Sequence, residues 1–145
     1  MITNERQYRI TKARLKRFEK DLAAQETRKP GVGVDPRIAV LMRDALASEV
    51  DVLRGQLRHY EQLRAGQITQ RKITSLRELP VALIEARIAA RLTQRQLAKR
   101  LGVAEQQIQR WEANEYTGVN LERLQSIADA LGVRIRETII YKPAA

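Results

Sequence analysis

Apolar residues recur at helical spacing through most of the chain. Tyr8, Leu15, Phe18 and Leu22 stand seven, three and four residues apart, which places them on one face of a helix within residues 1–30. Asn4 and Thr11 both offer N-caps for it. The stretch Lys29-Pro-Gly-Val-Gly-Val-Asp-Pro36 then breaks the pattern. Its Gly-x-Gly follows no strand and lacks a third glycine and a lysine, so it reads as a turn rather than a phosphate loop. Asp35 as cap and Pro36 at the first helical position open a second helix. It runs to Gly66, a natural stop, over about 30 residues or ~45 Å. Within it Leu46, Val50, Leu53, Leu57 and Tyr60 repeat in steps of four and three, a heptad-like seam. That seam needs cover, either from the first helix as a hairpin or from a second chain.

Residues 67–79 read as a linker that ends in the capping-box pattern Ser75-Leu-Arg-Glu78, with Pro80 fitting the turn that follows. Leu83, Ile84, Ile88 and Leu92 form the stripe of the next helix. Thr93-Gln-Arg-Gln96 is a capping box opening another, with Leu97, Ala98 and Leu101 inward and Gly102 allowing a tight turn at positive φ. Beyond it Ala104, Ile108 and Trp111 share an apolar face, while Gln106, Gln109, Arg110 and Ala113 project opposite. Asn114 is suited to the left-handed conformation that ends a helix. Asn120 caps a further helix, with Leu121, Leu124, Ile127, Ala128 and Leu131 inward and Gly132 as its stop. Val133-Arg-Ile-Arg-Glu-Thr-Ile-Ile-Tyr141 alternates at first and is β-branched, which predicts a strand. A lone strand needs a partner, from a second copy or from elsewhere in the chain.

The predicted architecture is all-α. A five-helix unit with a helix-turn-helix at 80–132 follows an N-terminal helical hairpin at 1–66 and the linker at 67–79, and a strand-like tail at 133–145 closes the chain. Composition agrees: apolar residues make up 43% but aromatics only 4%, so the core is aliphatic. Lys+Arg total 27 against Asp+Glu 17, a net charge of +10, which favours a polyanionic partner. Charge alone does not locate the surface, because residues 1–79 hold 17 basic and 10 acidic residues, +7, and residues 80–145 hold 10 and 7, +3.

Other chemistry finds little support. With no cysteine and one histidine, disulfides and thiolate zinc sites are excluded. His59 has no neighbouring cluster at ligand spacing, and Ser75 and Ser126 have no base in view. The acidic residues are scattered and always near basic ones, without an isolated pair for acid/base work. No catalytic residue, metal ligand or cofactor is expected. No apolar run approaches the ~20 residues of a membrane span, and no signal-peptide pattern opens the chain, so the expectation is a cytoplasmic protein without a membrane partner.

Two short helices joined by a glycine turn make a helix-turn-helix. The long amides then have a reason, since glutamine can bond adenine bidentately in the major groove and arginine can do the same to guanine. The run Leu92-Thr-Gln-x-x-Leu-Ala-x-x-Leu-Gly-Val, followed by Ile108-x-x-Trp-Glu112, resembles the phage repressor/Cro (XRE) class of helix-turn-helix domains. The resemblance implies that Gln94, with Thr93 and Arg95 beside it, meets phosphate. It places Glu105, Gln106 and Arg110 at base-reading positions, which Gln109 joins from the outward face. It also implies a salt bridge between Arg87 and Glu112, two charges set on or beside facing apolar stripes. Ala104 stands where the class usually carries a serine or threonine cap. The N-terminal extension is similar in layout, more than in motif, to antitoxins of the host-inhibition-of-growth kind. The expectation is a sequence-specific regulator, a repressor that binds double-stranded DNA as a homodimer. The alternative is an antitoxin of a type II system that neutralises a protein toxin and represses its own operon.

Overall fold

The computed structural model describes residues 1–27 and 35–142. It divides into two units, Met1–Lys72 and Ile73–Ala145. The Gly-x-Gly turn of residues 31–33 and the last residues, 143–145, lie outside the described residues.

The first unit is built from α1 (Glu5–Thr27) and α2 (Pro36–Arg64). Of the two caps offered for α1, Asn4 is used: its Oδ1 accepts from the Gln7 N–H at 2.9 Å. Asp35 caps α2 by accepting from the Arg37 N–H at 2.8 Å, with Pro36 at the first helical position. After α2, Gly66 takes φ 72° and turns the chain away. The two helices pack on each other. Val50, Leu53, Leu57, Tyr60 and Leu63 of α2 are buried. Tyr8, Leu15, Phe18 and Leu22 of α1 are half-buried. The seam of α2 is therefore covered from within the chain. Cross-pairs show the antiparallel run: Glu5 with Arg64 at 2.5 Å, Tyr8 stacked on Tyr60 at 5.2 Å, and Glu19 with Arg54 at 2.8 Å. Ile38, Val40, Leu41 and Met42, near the start of α2, are exposed.

The second unit opens with a 3₁₀ turn at Leu76–Glu78 and continues through α3 (Leu79–Ala89), α4 (Gln94–Leu101), α5 (Glu105–Ala113) and α6 (Leu121–Leu131). It thus holds four α-helices among the described residues, and five helical elements only when the turn is counted. Ser75 caps that turn, while Glu78 Oε1 accepts from the Thr74 N–H and hydroxyl rather than reaching back to Ser75. Thr93 and Gln96 form a full capping box on α4, and Gly102 closes it at φ 67°. Asn120 caps α6 and Gly132 ends it at φ 68°. Leu83, Ile84, Leu97, Ile108 and Ile127, one or two from each helix, form the buried aliphatic centre.

Four expectations need correction. Leu121, expected inward, is 66% exposed, because it stands at the first position of α6, ahead of the turns that Ile127 and Ala128 bury. Val133–Tyr141 carries no strand; beyond Gly132 these residues have no regular secondary structure and pair with no second strand among the described residues, so no ladder defines one. Asn114 is not left-handed, having φ −101°. The left-handed residues after α5 are Glu115 at φ 47° and Tyr116 at φ 55°. Trp111 is only half-buried: Arg123 lies over its ring at 5.7 Å, and the fully buried aromatic beside it is Tyr116.

Candidate nucleic-acid interface

α4 and α5 meet through the Gly102 turn, where Val103 N–H bonds to the Ala98 carbonyl at 3.0 Å. Leu97, Ala98 and Ile108 are buried. With those faces spoken for, helical geometry sends the remaining side chains outward. Glu105, Gln106, Gln109 and Arg110 are all exposed on α5. Gln109 Nε2 donates to Glu105 Oε1 at 3.2 Å, so the acid of this face is held by a neighbouring amide one turn on. Ala104 precedes the helix with no side-chain cap, which leaves its first N–H groups without that partner.

Behind this face sits a buried polar cluster. Arg87 of α3 meets Glu112 of α5 in a two-pronged contact, Nε to Oε1 at 2.5 Å and Nη2 to Oε2 at 2.7 Å. The two side chains are 3% and 1% exposed, so neither charge is shared with water. Arg87 Nη1 also donates to the Leu92 carbonyl at 2.7 Å, pinning the loop that enters α4. Gln94 Nε2 donates to Glu112 Oε2 at 2.8 Å. A single carboxylate thus holds α3, the first residue of α4 and the last turn of α5 in register. Hydrogen bonds to charged groups are short and strong, and the low dielectric around them sharpens the geometry.

The structure therefore brings together Arg87, Glu112 and Gln94, and separates Gln94 from its neighbours. Gln94 is buried, 8% exposed, with its amide turned inward. The phosphate contact expected of its side chain does not match that direction. Thr93 and Arg95, on either side, are exposed. The Thr93 hydroxyl is engaged in its own cap, accepting from the Gln96 N–H at 3.1 Å. Arg95 has no such engagement among the described residues. Sequence reasoning missed that Gln94 belongs with Glu112; an amide at the first position of a helix carries no mark of which way it will turn.

Tyr116 was also missed. It is 3% exposed and lies against Trp111 with ring centroids 6.4 Å apart. Its hydroxyl makes no hydrogen bond among the described residues. Burial pushes its ionisation well above the ordinary tyrosine range, the Glu112 carboxylate pushes it further, and Arg87 opposes in part. Among the described residues no three or more His, Cys, Asp or Glu gather as a metal would need, and no helix is long and apolar enough to cross a membrane.

Residues 83–137 match the family model for the helix-turn-helix, a stretch that runs from Leu83 within α3 through α6 and into the tail. That segment is an XRE-type helix-turn-helix domain, and the protein is a DNA-binding transcriptional regulator. No curated protein and no solved structure matches the chain.

Proposed function

We propose that the protein is a repressor that reads a specific operator with α5. The observation that carries this reading is the pairing of an exposed polar face, Glu105, Gln106, Gln109 and Arg110, with the buried Arg87–Glu112–Gln94 cluster that fixes the helix beneath it. A reading helix needs side chains free to meet base edges and a backbone that does not yield when they do. Arg110 suits guanine, Gln106 and Gln109 suit adenine, and Glu105 suits the cytosine amino group. Arg95 and the exposed Thr93 flank the start of α4, where phosphate contacts position a domain without reading sequence. Two domains on half-sites about one helical turn, ~34 Å, apart would occupy successive major grooves and block a promoter. Selection of bound sites from random duplex DNA tests this. The expected result is an enriched site with two related halves, and recovery of unenriched sequence would overturn it.

A second reading is an antitoxin that also binds a protein. The exposed apolar start of α2, with Leu41 at 70% and Met42 at 60%, favours it, because such surfaces commonly meet another protein. A small toxin-like reading frame beside the gene, whose product binds the N-terminal unit, would support this reading. A neighbouring product that leaves Leu41 and Met42 accessible would count against it.

A further inference from the structure

The acidic residues of α1 that form ion pairs are turned toward α2. Glu5 pairs with Arg64 and Glu19 with Arg54, while α2 contributes Glu49 to Arg14. These pairs consume the negative charge along the seam. They leave the opposite side of α1 without any. At 3.6 residues per turn, Arg6, Arg9, Lys16 and Lys20 fall within an arc of about 80°, facing away from Tyr8, Leu15, Phe18 and Leu22. Ala13 is the other residue at the centre of that arc. All five are exposed, and none of the four cations forms an ion pair among the described residues. Asp21 lies outside the arc, and Glu26 lies at the apolar edge. From Arg6 to Lys20 the row extends ~21 Å along the helix.

We infer that this face of α1 is a second nucleic-acid surface, one that grips the phosphates of double-stranded DNA without reading sequence. A linear row of exposed cations around a small alanine matches a run of backbone charge, because a duplex carries one negative charge per ~1.7 Å of axis. A lipid surface would also want an apolar face to insert, and the apolar face of α1 is spent on α2. The choice of duplex rests on the DNA-binding reading of the second unit. The charge row itself does not. Its effect is to raise affinity for any sequence and hold the chain on DNA while α5 searches.

The test uses the full chain carrying Arg6→Ala, Arg9→Ala, Lys16→Ala and Lys20→Ala together. Alanine is the best helix former, so α1 is retained, and an unchanged circular-dichroism melt confirms it. Binding to a random-sequence duplex is measured across salt concentrations. Four lost phosphate contacts should flatten the slope of log affinity against log salt by roughly 3.6 and weaken binding at least tenfold at low salt. A parallel chain with Gln106→Ala and Arg110→Ala should lose preference for the selected site but keep the steep salt slope. An unchanged slope in the fourfold variant overturns the inference and leaves the α5 reading standing. Retained preference in the α5 variant overturns that reading and leaves the charge row standing. Loss of binding to phosphatidylserine vesicles with duplex binding intact would assign the face to a membrane and overturn the inference as well.

Discussion

Arg87 and Glu112 face each other through two parallel hydrogen bonds, 2.5 and 2.7 Å long, although 25 residues separate them in sequence. Burying both ions is expensive, so the pair adds little net stability over an apolar substitute. Breaking it is another matter, because the survivor is left charged and dry. Glu112→Ala should destabilise the second unit by ~3–5 kcal/mol, and Arg87→Ala by a similar amount. Thermal melts of both variants check this. Glu112→Ala should also weaken operator binding through loss of α5 placement, although Glu112 is buried and reaches no base.

Base reading has a different signature. Gln106→Ala and Arg110→Ala should each cost ~1–3 kcal/mol on the selected site and relax preference at one position, with melting unchanged. Binding assays on the site and on single-base variants of it separate this from a general loss. Equal losses on selected and random duplex would remove these residues from the reading face.

Much of the fold was legible because its punctuation is local. Thr93 with Gln96, Asn120, Gly102 and Gly132 announce helix ends from a few neighbouring residues, and the structure uses each of them. The α2 seam was legible as a face in need of cover, and α1 as one of the two covers it allowed, but not the register in which α1 meets it. Charges along α1, such as Glu5 and Glu19, supply the matching contacts, and these depend on register between helices. What stayed hidden depends on tertiary approach. Nothing near Gln94 in the sequence says that its amide turns to a carboxylate 18 residues away. The β-branched run after Gly132 looks like a strand by local preference, but without a ladder partner among the described residues it takes no regular structure.

Gln94 offers a direct choice between two roles. If its amide serves chiefly to hold Glu112, Gln94→Ala should lower the melting temperature by several degrees, the cost of ~1–3 kcal/mol for a lost bond to a buried charge. Binding to all duplexes would then fall only as far as α5 loses its placement. A side chain serving phosphate would give the reverse, with an unchanged melt and a uniform loss on every sequence. Paired melting and binding measurements on this one variant decide it.

Tyr116 predicts how the second unit responds to alkaline pH. Its ring is buried and its hydroxyl has no hydrogen-bond partner among the described residues, so the tyrosinate form is strongly disfavoured in the folded state. Burial is the main cause, with the Glu112 carboxylate adding to it and Arg87 partly offsetting. In the unfolded chain the same group ionises near pH ~10. The folded value is raised above the unfolded one, so the contribution to stability is complete below pH ~10 and declines as pH rises beyond it, by up to ~1.4 kcal/mol per pH unit. Tyr116→Phe removes the ionisable group while keeping the ring against Trp111. It should leave stability at neutral pH unchanged or raise it by about 1 kcal/mol, because a buried hydroxyl without a partner contributes desolvation cost and no bond. Denaturant melts of both proteins between pH 8 and 11 test this, with the other tyrosines and the lysines common to both. The two stability curves should run parallel below pH ~10 and diverge above it, the wild type falling more steeply. Parallel curves to pH 11 would show that the Tyr116 hydroxyl is hydrated in solution.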